Sequence, residues 1–133
     1  MPRHTVHAPE APAAIGPYAH AAGPVGTELL YLSGQTPIDT ATGALVTGDV
    51  AVQTATAFAN LAAVLRAAGG SLDDVVKVNV YLVDMADFAE VNSAYAEQFT
   101  APYPARTTVA VAGLPLGARV EIEAVAAIPV TDR

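Results

Sequence analysis

The pattern of apolar and polar positions divides the chain into short elements separated by glycine and proline. Residues 28–33 form a mostly apolar run that stops at Gly34, which predicts a strand. Apolar residues then recur at three- and four-residue spacing across 49–68, where an aspartate stands at the start and two glycines follow the end. This spacing and these capping residues predict a helix. Its predicted buried face consists of Val52, Ala55, Phe58, Ala59, Ala62 and Leu65.

The second half of the chain shows strand and helix patterns in turn. Residues 75–82 alternate in polarity, which predicts a half-buried strand. The predicted apolar face of that strand is Val76, Val78, Val80 and Leu82. A second helix is predicted next, because apolar residues again follow helical spacing before two prolines. Its apolar stripe is Phe88, Val91, Tyr95 and Phe99. Strands are predicted at 105–112 and 119–128, on either side of a turn.

The N-terminal segment 7–22 is rich in alanine and proline, so extended or turning backbone is expected there. The predicted order of elements is strand, strand, helix, strand, helix, strand, strand. This order is typical of an α+β fold in which the helices cover one face of a sheet. The other face would then need a cover, so we expect a homo-oligomer.

Composition limits the classes of function. The chain has 133 residues, 6 Lys and Arg against 13 Asp and Glu, a net charge of −7 and no cysteine. This length fits one domain over residues 1–133. The absence of cysteine excludes disulfides, a thiolate nucleophile and cysteine-ligated zinc. The few cations are scattered along the chain, which disfavours binding to nucleic acid. No secretory signal and no long uninterrupted apolar run are recognised, so we expect a cytoplasmic protein without a membrane span.

Arg106 is the most informative single residue. It stands in a strand of threonine and valine, and no other cation occurs between Lys77 and Arg119. A guanidinium in such a strand is costly to desolvate unless an anion meets it, and its fork of donors suits a carboxylate. Two interpretations stay open: Arg106 binds a carboxylate ligand, or it pairs with Glu121 or Glu123 of the last strand.

Glu121 and Glu123 alternate with apolar residues, so both point to one face of the last strand. One of them is a candidate general base, and a solvated strand face is the simpler alternative. Which of them meets Arg106 depends on the register of the expected hairpin. The three histidines, His4, His7 and His20, show no metal-ligand spacing and are interpreted as surface residues, so no metal site is expected.

Four segments in order resemble the YjgF/RidA family of reactive-intermediate deaminases, known in older usage as L-PSP endoribonucleases. They are APAAIGPYAHA at 11–21, YLSGQTPIDTATGALV at 31–46, NLAAVLRAAGGSLDDVVKVNVYLVDMADFAEVNSAY at 60–95, and PARTTVAVAGLPLGARVEIEAVA at 104–126. The resemblance implies a chorismate-mutase-like two-layer subunit with a mixed sheet. It further implies a homotrimer with a central barrel and three clefts between neighbouring subunits.

The resemblance also implies an activity and a set of site residues. Members hydrolyse 2-enamino and 2-imino acids, such as 2-aminoacrylate and 2-iminobutyrate, to 2-keto acids and ammonia without a metal or cofactor. By analogy Arg106 binds the substrate carboxylate and Glu121 handles water. Further pocket positions are Tyr18, Ser33, Gly34, Asn92 and Thr108.

This sequence departs from the family pattern at three places. Thr108 stands where cysteine is frequent, His20 stands where glutamine is usual, and residues 109–111 read Val-Ala-Val instead of Val-Glu-Val. None of these removes Arg106 or Glu121. Two other functions stay open: a non-catalytic module that binds keto or amino acids, and an endoribonuclease or translation inhibitor, which the net charge of −7 disfavours.

Overall fold

The computed structural model describes residues 3–24 and 29–128. This part of the chain forms a sheet of six strands and two α helices, which is an α+β fold. The strands are β1 Arg3–Val6, β2 Ala21–Pro24, β3 Leu29–Gln35, β4 Val75–Leu82, β5 Ala105–Ala110 and β6 Val120–Ala127. The helices are α1 Val50–Ala67 and α2 Phe88–Ala96. The segment that was expected to be extended or turning thus ends in β2, and β1 is an additional strand ahead of it.

The sheet is mixed, as expected, with the strand order β1-β2-β3-β6-β4-β5. Every neighbouring pair is antiparallel except β4 and β5, which are parallel and are connected through α2. A parallel pair needs such a crossover connection. The expectation that the last two strands pair as a hairpin is wrong, because β4 lies between β5 and β6.

Helix α1 has the predicted ends but a different buried face. The Asp49 side chain accepts a hydrogen bond from the backbone N–H of Val52, and Gly69 follows the helix with a φ of 86°, a left-handed conformation that favours glycine. Within the predicted face, Phe58 and Leu65 are buried, whereas the residues at 52, 55 and 59 are exposed. The buried residues of α1 are Val50, Gln53, Thr54, Ala57, Phe58, Asn60, Leu61, Ala63, Val64 and Leu65.

Polar side chains on the buried face of α1 explain the wrong prediction. Asn60 donates to the backbone oxygens of Thr36 and Ile38, and the Gln53 side chain accepts from the backbone N–H of Arg119. Hydrogen bonds of this kind make the burial of amide groups tolerable. Helix α1 is long and apolar enough to span a membrane by length and composition, but more than half of it is buried against the rest of the fold, as in a core helix.

Both helices contribute to one core on one side of the sheet. Val91, Tyr95 and Phe99 of the predicted stripe are buried there, and Phe88 packs against the same cluster. The ring of Phe58 meets those of Tyr95 and Phe99 edge-on, at centroid distances of 5.5 and 5.6 Å. Such aromatic contacts contribute beyond their buried area.

Strand β4 alternates as predicted except at its start. Val78, Val80 and Leu82 are buried. Val76 is 45% exposed, because a bulge places one extra residue of β4 opposite β6 and shifts its alternation. The prediction for Val76 is therefore wrong.

No described element covers the other face of the sheet. Leu29, Tyr31 and Val109 are each more than 40% exposed there. The buried alanines of the sheet, such as Ala124 and Ala126, lie on the side that the helices cover. The uncovered face is thus a broad surface of mixed apolar and polar side chains, which we call the open face.

We expect the Phe58→Ala variant to lose about 3–5 kcal/mol in free energy of unfolding, because the change removes a fully buried ring from the aromatic cluster. Val52→Ala is the control in the same helix, and it should cost well under about 1 kcal/mol because Val52 is 42% exposed. Denaturant unfolding at one fixed protein concentration measures both values. Equal losses would contradict the buried face described here.

Candidate functional site

Glu121 and Glu123 lie two residues apart on β6, and both side chains are half-buried on the open face. The alternation of β6 dictates this, since Val120, Ile122 and Ala124 between and beside them are buried on the helix side. The pairing of β6 with β4 then places Tyr81 opposite Glu121 and Asn79 opposite Glu123. These four side chains form a polar cluster on the open face.

Glu121 borders a cleft of about 440 Å³. Its walls come from segment 12–18, from the end of β3 and from the turn that precedes β6. Tyr18, Ser33 and Gly34, three of the predicted pocket positions, all line it. The structure thus brings these three residues together with Glu121.

A bulge in β3 shapes the cleft beside Glu121. Ser33 and Gly34 together oppose the single residue Glu123, because β3 has one more residue than β6 between two paired positions. A Cβ atom on Gly34 would lie 2.5 Å from Oε2 of Glu121 and 3.0 Å from its Cδ. The absence of a side chain at Gly34 therefore provides the space that the Glu121 carboxyl occupies.

The two carboxyl groups have different surroundings. Asn79 Nδ2 donates to Glu123 Oε1 at 3.0 Å, and the Tyr81 hydroxyl donates to the same oxygen. That hydrogen bond, together with burial and the charge of Glu123, raises the pKa of Tyr81 to about 12. No described side chain donates to Glu121. Burial raises the pKa of the Glu121 carboxyl, and the charge of Glu123 raises it further.

His20 was predicted to be a surface residue, and this prediction is wrong. Its side chain is buried and connects two segments of the cleft wall. It is 3% exposed, and its Nδ1 accepts from the backbone N–H of Ala8 at 3.0 Å. Its Nε2 then donates to the backbone oxygen of Pro12 at 2.7 Å. The backbone oxygen of His20 accepts from Ser33 N–H, and the Ser33 hydroxyl donates to the oxygen of Ala19. His20 therefore joins segment 8–12 to the β3 bulge, whereas His7 is exposed.

Arg106 belongs to a second cleft, of about 400 Å³, between β5 and α2. Its Nη1 donates to Oδ1 of Asn92 at 2.7 Å, and its guanidinium carbon lies 4.6 Å from the ring centroid of Tyr95. A cation over an aromatic face in this way is stabilised by the ring quadrupole. Asn92 and Arg106, two predicted site residues, are thus brought together.

No ion pair of Arg106 with an acidic residue occurs in the described part of the chain. The alternative that Arg106 pairs with Glu121 or Glu123 is wrong for a single chain. Arg106 is in register with Val78, whose side chain is buried on the helix side, whereas both glutamates are on the open face. The two candidate catalytic residues therefore lie on opposite faces of the sheet.

Two hydroxyls near Arg106 have no hydrogen-bond partner among the described residues. They are Tyr95 Oη, on the ring that the guanidinium covers, and Thr108 Oγ1, two positions further along β5, and both atoms are buried. Thr108 and Arg106 share one face of β5 because of strand alternation.

The sequence analysis did not predict three residues of the two clefts, namely Tyr95, Tyr81 and Asn79. Their spacing indicates only a helix stripe and a polar strand face.

Comparisons with known proteins extend over nearly the whole chain. The family model described as Endoribonuclease L-PSP matches residues 8–128. The chain is 45% identical over 126 residues to protein DfrA of Myxococcus xanthus, which covers 95% of this chain and 96% of that protein. It is 44% identical over 124 residues to the 2-iminobutanoate/2-iminopropanoate deaminase of Bos taurus, which covers 93% of this chain and 89% of that protein.

Solved structures give the same result for the fold. The crystal structure of RidA from an Antarctic Psychrobacter species matches with a TM-score of 0.87 at 45% identity, covering 94% of this chain and 99% of that chain. The crystal structure of yeast YEO7 matches with a TM-score of 0.90 at 44% identity, covering 96% and 100%. Both clefts described above lie within the matched region of the sequence.

The His20→Ala variant should lose about 1–3 kcal/mol in free energy of unfolding, because Ala8 N–H and the Pro12 oxygen would lose their buried partner. Hydrogen exchange at the Ala8 amide should also become faster. His7→Ala is the matched control, because His7 is exposed. Its contact with His20 is between the two rings, whose centroids are 5.4 Å apart. An unchanged Ala8 exchange rate in His20→Ala would contradict the fastening role.

Proposed function

The chain belongs to the YjgF/RidA family, and from that membership we propose that it hydrolyses reactive 2-imino and 2-enamino acids, such as 2-iminobutyrate and 2-aminoacrylate, to 2-keto acids and ammonia. The observation that carries this proposal is the pair of clefts, one with an arginine that has no acidic partner in the described part of the chain and one with a partly buried glutamate. The first suits a substrate carboxylate and the second suits an activated water.

We further propose that neighbouring copies of the chain form the complete site. Arg106 and Glu121 lie on opposite faces of one sheet, so a single chain cannot present both to one small substrate. The open face carries exposed Leu29, Tyr31 and Val109, and a second copy packed on it would bury them. A cyclic homotrimer whose sheets surround a central barrel, as the family resemblance implies, repeats this contact three times and leaves three equivalent sites.

Arg106 is the proposed anchor for the substrate carboxylate. Asn92 accepts a hydrogen bond from one of its N–H groups, which orients the guanidinium, and no described residue accepts from the others. Tyr95 supports the guanidinium from the other side. Thr108 lies on the same face of β5 two positions further along, and its hydroxyl is buried without a partner among the described residues. The arrangement holds the carboxylate, and therefore the adjacent imine carbon, in one position.

Glu121 is the proposed general base. An enamine first gains a proton at C3 and loses one from nitrogen to become the imine. The oxygen of water then bonds to the imine carbon as the C=N π electrons move to nitrogen, and Glu121 takes a proton from the water and passes it to that nitrogen, which gives the neutral carbinolamine. In the second step Glu121 takes the hydroxyl proton as the C=O bond forms and passes it to the nitrogen as the C–N bond breaks, so that ammonia leaves and the carboxylate is restored. Tyr18, Ser33 and Gly34 form the wall beside it.

The reaction needs no metal or cofactor, because the imine carbon is already electrophilic. A pKa that burial and Glu123 raise suits a carboxyl that both takes and returns a proton.

The second candidate function is a binding module for keto or amino acids, which the Arg106 cleft alone would support. RNA cleavage is disfavoured, since Lys77 is bonded to Thr107 and Arg119 to Asp87, and the net charge is −7.

We expect purified protein to accelerate keto-acid formation from 2-iminobutyrate generated in situ by a PLP-dependent dehydratase. Arg106→Ala should reduce kcat/KM by at least about tenfold, because charge-assisted hydrogen bonds to the carboxylate are lost. Arg66→Ala removes an exposed arginine outside both clefts and serves as the control.

Glu121→Gln should lower kcat more than it raises KM, because the amide cannot accept the water proton. A wild-type rate equal to the spontaneous rate, together with binding of 2-ketobutyrate, would favour the binding module instead. RNA cleavage that Arg106→Ala abolishes would support the endoribonuclease.

Mixing the two impaired variants tests whether the site is shared between copies. Arg106→Ala and Glu121→Gln should each have strongly reduced activity alone, and subunit exchange after mild denaturation should restore activity above that of either variant. In a random one-to-one mixture, a site with intact Arg106 from one subunit and intact Glu121 from its neighbour arises with a probability of about one quarter in any cyclic oligomer. Activity near about a quarter of wild type is therefore expected.

The mass of the assembly is the companion measurement. Light scattering should give a mass three times the 13.5 kDa of the chain. A monomer at micromolar concentration, or an exchanged mixture that stays inactive although mixed oligomers form, would contradict the shared site.

A further inference from the structure

We propose that Glu123, fixed by Tyr81 and Asn79, is a positioning residue that holds its carboxylate beside Glu121 and thereby shifts the pH range in which Glu121 can act as a base. This inference rests on the proposed function for its catalytic consequence. The electrostatic relation between the two glutamates does not depend on that function and can be measured separately.

The first support is an asymmetry in the hydrogen bonds of the polar cluster. Tyr81 stands directly opposite Glu121 in the β4–β6 register, yet its hydroxyl donates diagonally to Glu123. Asn79, which is opposite Glu123, donates to the same carboxylate oxygen. Tyr81 and Asn79 therefore both donate to Glu123, and no described side chain donates to Glu121.

The second support is that the Tyr81 hydroxyl stays protonated, so its hydrogen bond to Glu123 does not change with pH in the ordinary range. Tyr81 keeps its proton up to a pKa of about 12, so it is a donor throughout the ordinary pH range. An ionised carboxylate is acceptor-only and is the natural partner of two donors. The same two donors also fix the Glu123 side chain in one place, so its charge stays at a constant distance from Glu121.

The third support is the set of groups around Glu121. Its own strand contributes Glu123, β4 contributes Tyr81, and segment 12–18 contributes Tyr18. The β3 bulge contributes Ser33 and Gly34, which do not titrate in this range, and the turn before β6 contributes Pro115 and Leu116.

Lys77 is the cation of β4, and its Nζ donates to Thr107 instead. Among the described residues of the same chain that face Glu121, the only charge is therefore that of Glu123. In the proposed assembly the Arg106 of a neighbouring copy also faces this cleft, and a substitution at Glu123 leaves that charge unchanged.

The magnitude of the effect follows from distance. Residues two apart in a strand are separated by roughly 7 Å along the chain. At that distance a unit charge in an effective dielectric between water and a protein surface shifts a neighbouring titration by about 0.5–1.5 pH units. The sign is upward, since a like charge disfavours the ionised form, and the pKa of Glu121 is indeed raised partly by Glu123.

Glu123→Gln is the decisive variant. The glutamine oxygen can still accept from Tyr81 and Asn79, so the geometry is kept while the charge is removed. Glu121 should then titrate about 0.5–1.5 pH units lower, and the acid limb of the kcat/KM profile should move to lower pH by the same amount. Asp73→Asn removes one equal charge at an exposed position near the far end of β4 and should leave both values unchanged.

Two readouts separate this inference from the proposed function. Titration of the side-chain carboxyl carbon of Glu121 by NMR, assigned from the signal lost in Glu121→Gln, reports the electrostatic relation without any substrate. If the wild type shows no turnover but the Glu121 titration moves in Glu123→Gln, only the function is wrong.

If turnover is normal and neither the titration nor the acid limb moves, the positioning role is wrong. A Glu123→Gln variant that is folded but inactive at every pH would also overturn it, because Glu123 would then be the base itself.

Discussion

The pairing of β4 with two different neighbours determines the layout of the rest of the molecule. β4 runs parallel to β5 on one side and antiparallel to β6 on the other, so residues in register on the three strands share a face. Arg106 is in register with Val78 and therefore lies on the helix side, whereas Glu121 is in register with Tyr81 and lies on the open face. A shift of one residue in either pairing would move the residues of the shifted strand to the other face, and the burial of Val120, Ile122 and Ala124 prevents this for β6.

The sequence was sufficient to predict the helices and most of the strands, and it drew attention to residues that line the two clefts. Caps and periodicity located α1 to within one residue at each end. Its buried face was predicted wrongly because alanine and valine occupy several sides of the helix, so apolarity alone does not distinguish them. Gln53 and Asn60 made the true buried face look polar, and only their partners in distant segments, at Arg119, Thr36 and Ile38, explain their burial.

The spatial relation of the site residues could not be predicted in the same way. Adjacent strands of the sequence usually pair, which favoured a hairpin of β5 and β6, but the parallel crossover through α2 inserted β4 between them. His20 was misjudged for a related reason. Its two partners are backbone groups of Ala8 and Pro12, and backbone partners leave no signal in side-chain spacing.

The opposite-face arrangement links binding to assembly. In the proposed oligomer a ligand would be held by Arg106 of one chain and would face the Glu121 cleft of the next, so it contacts both partners at once. Whatever binds the assembled form but not the separated chains must, by mass action, also favour assembly. Substrate and subunit contact would then stabilise each other to an equal degree, and this reciprocity needs no conformational switch in the fold.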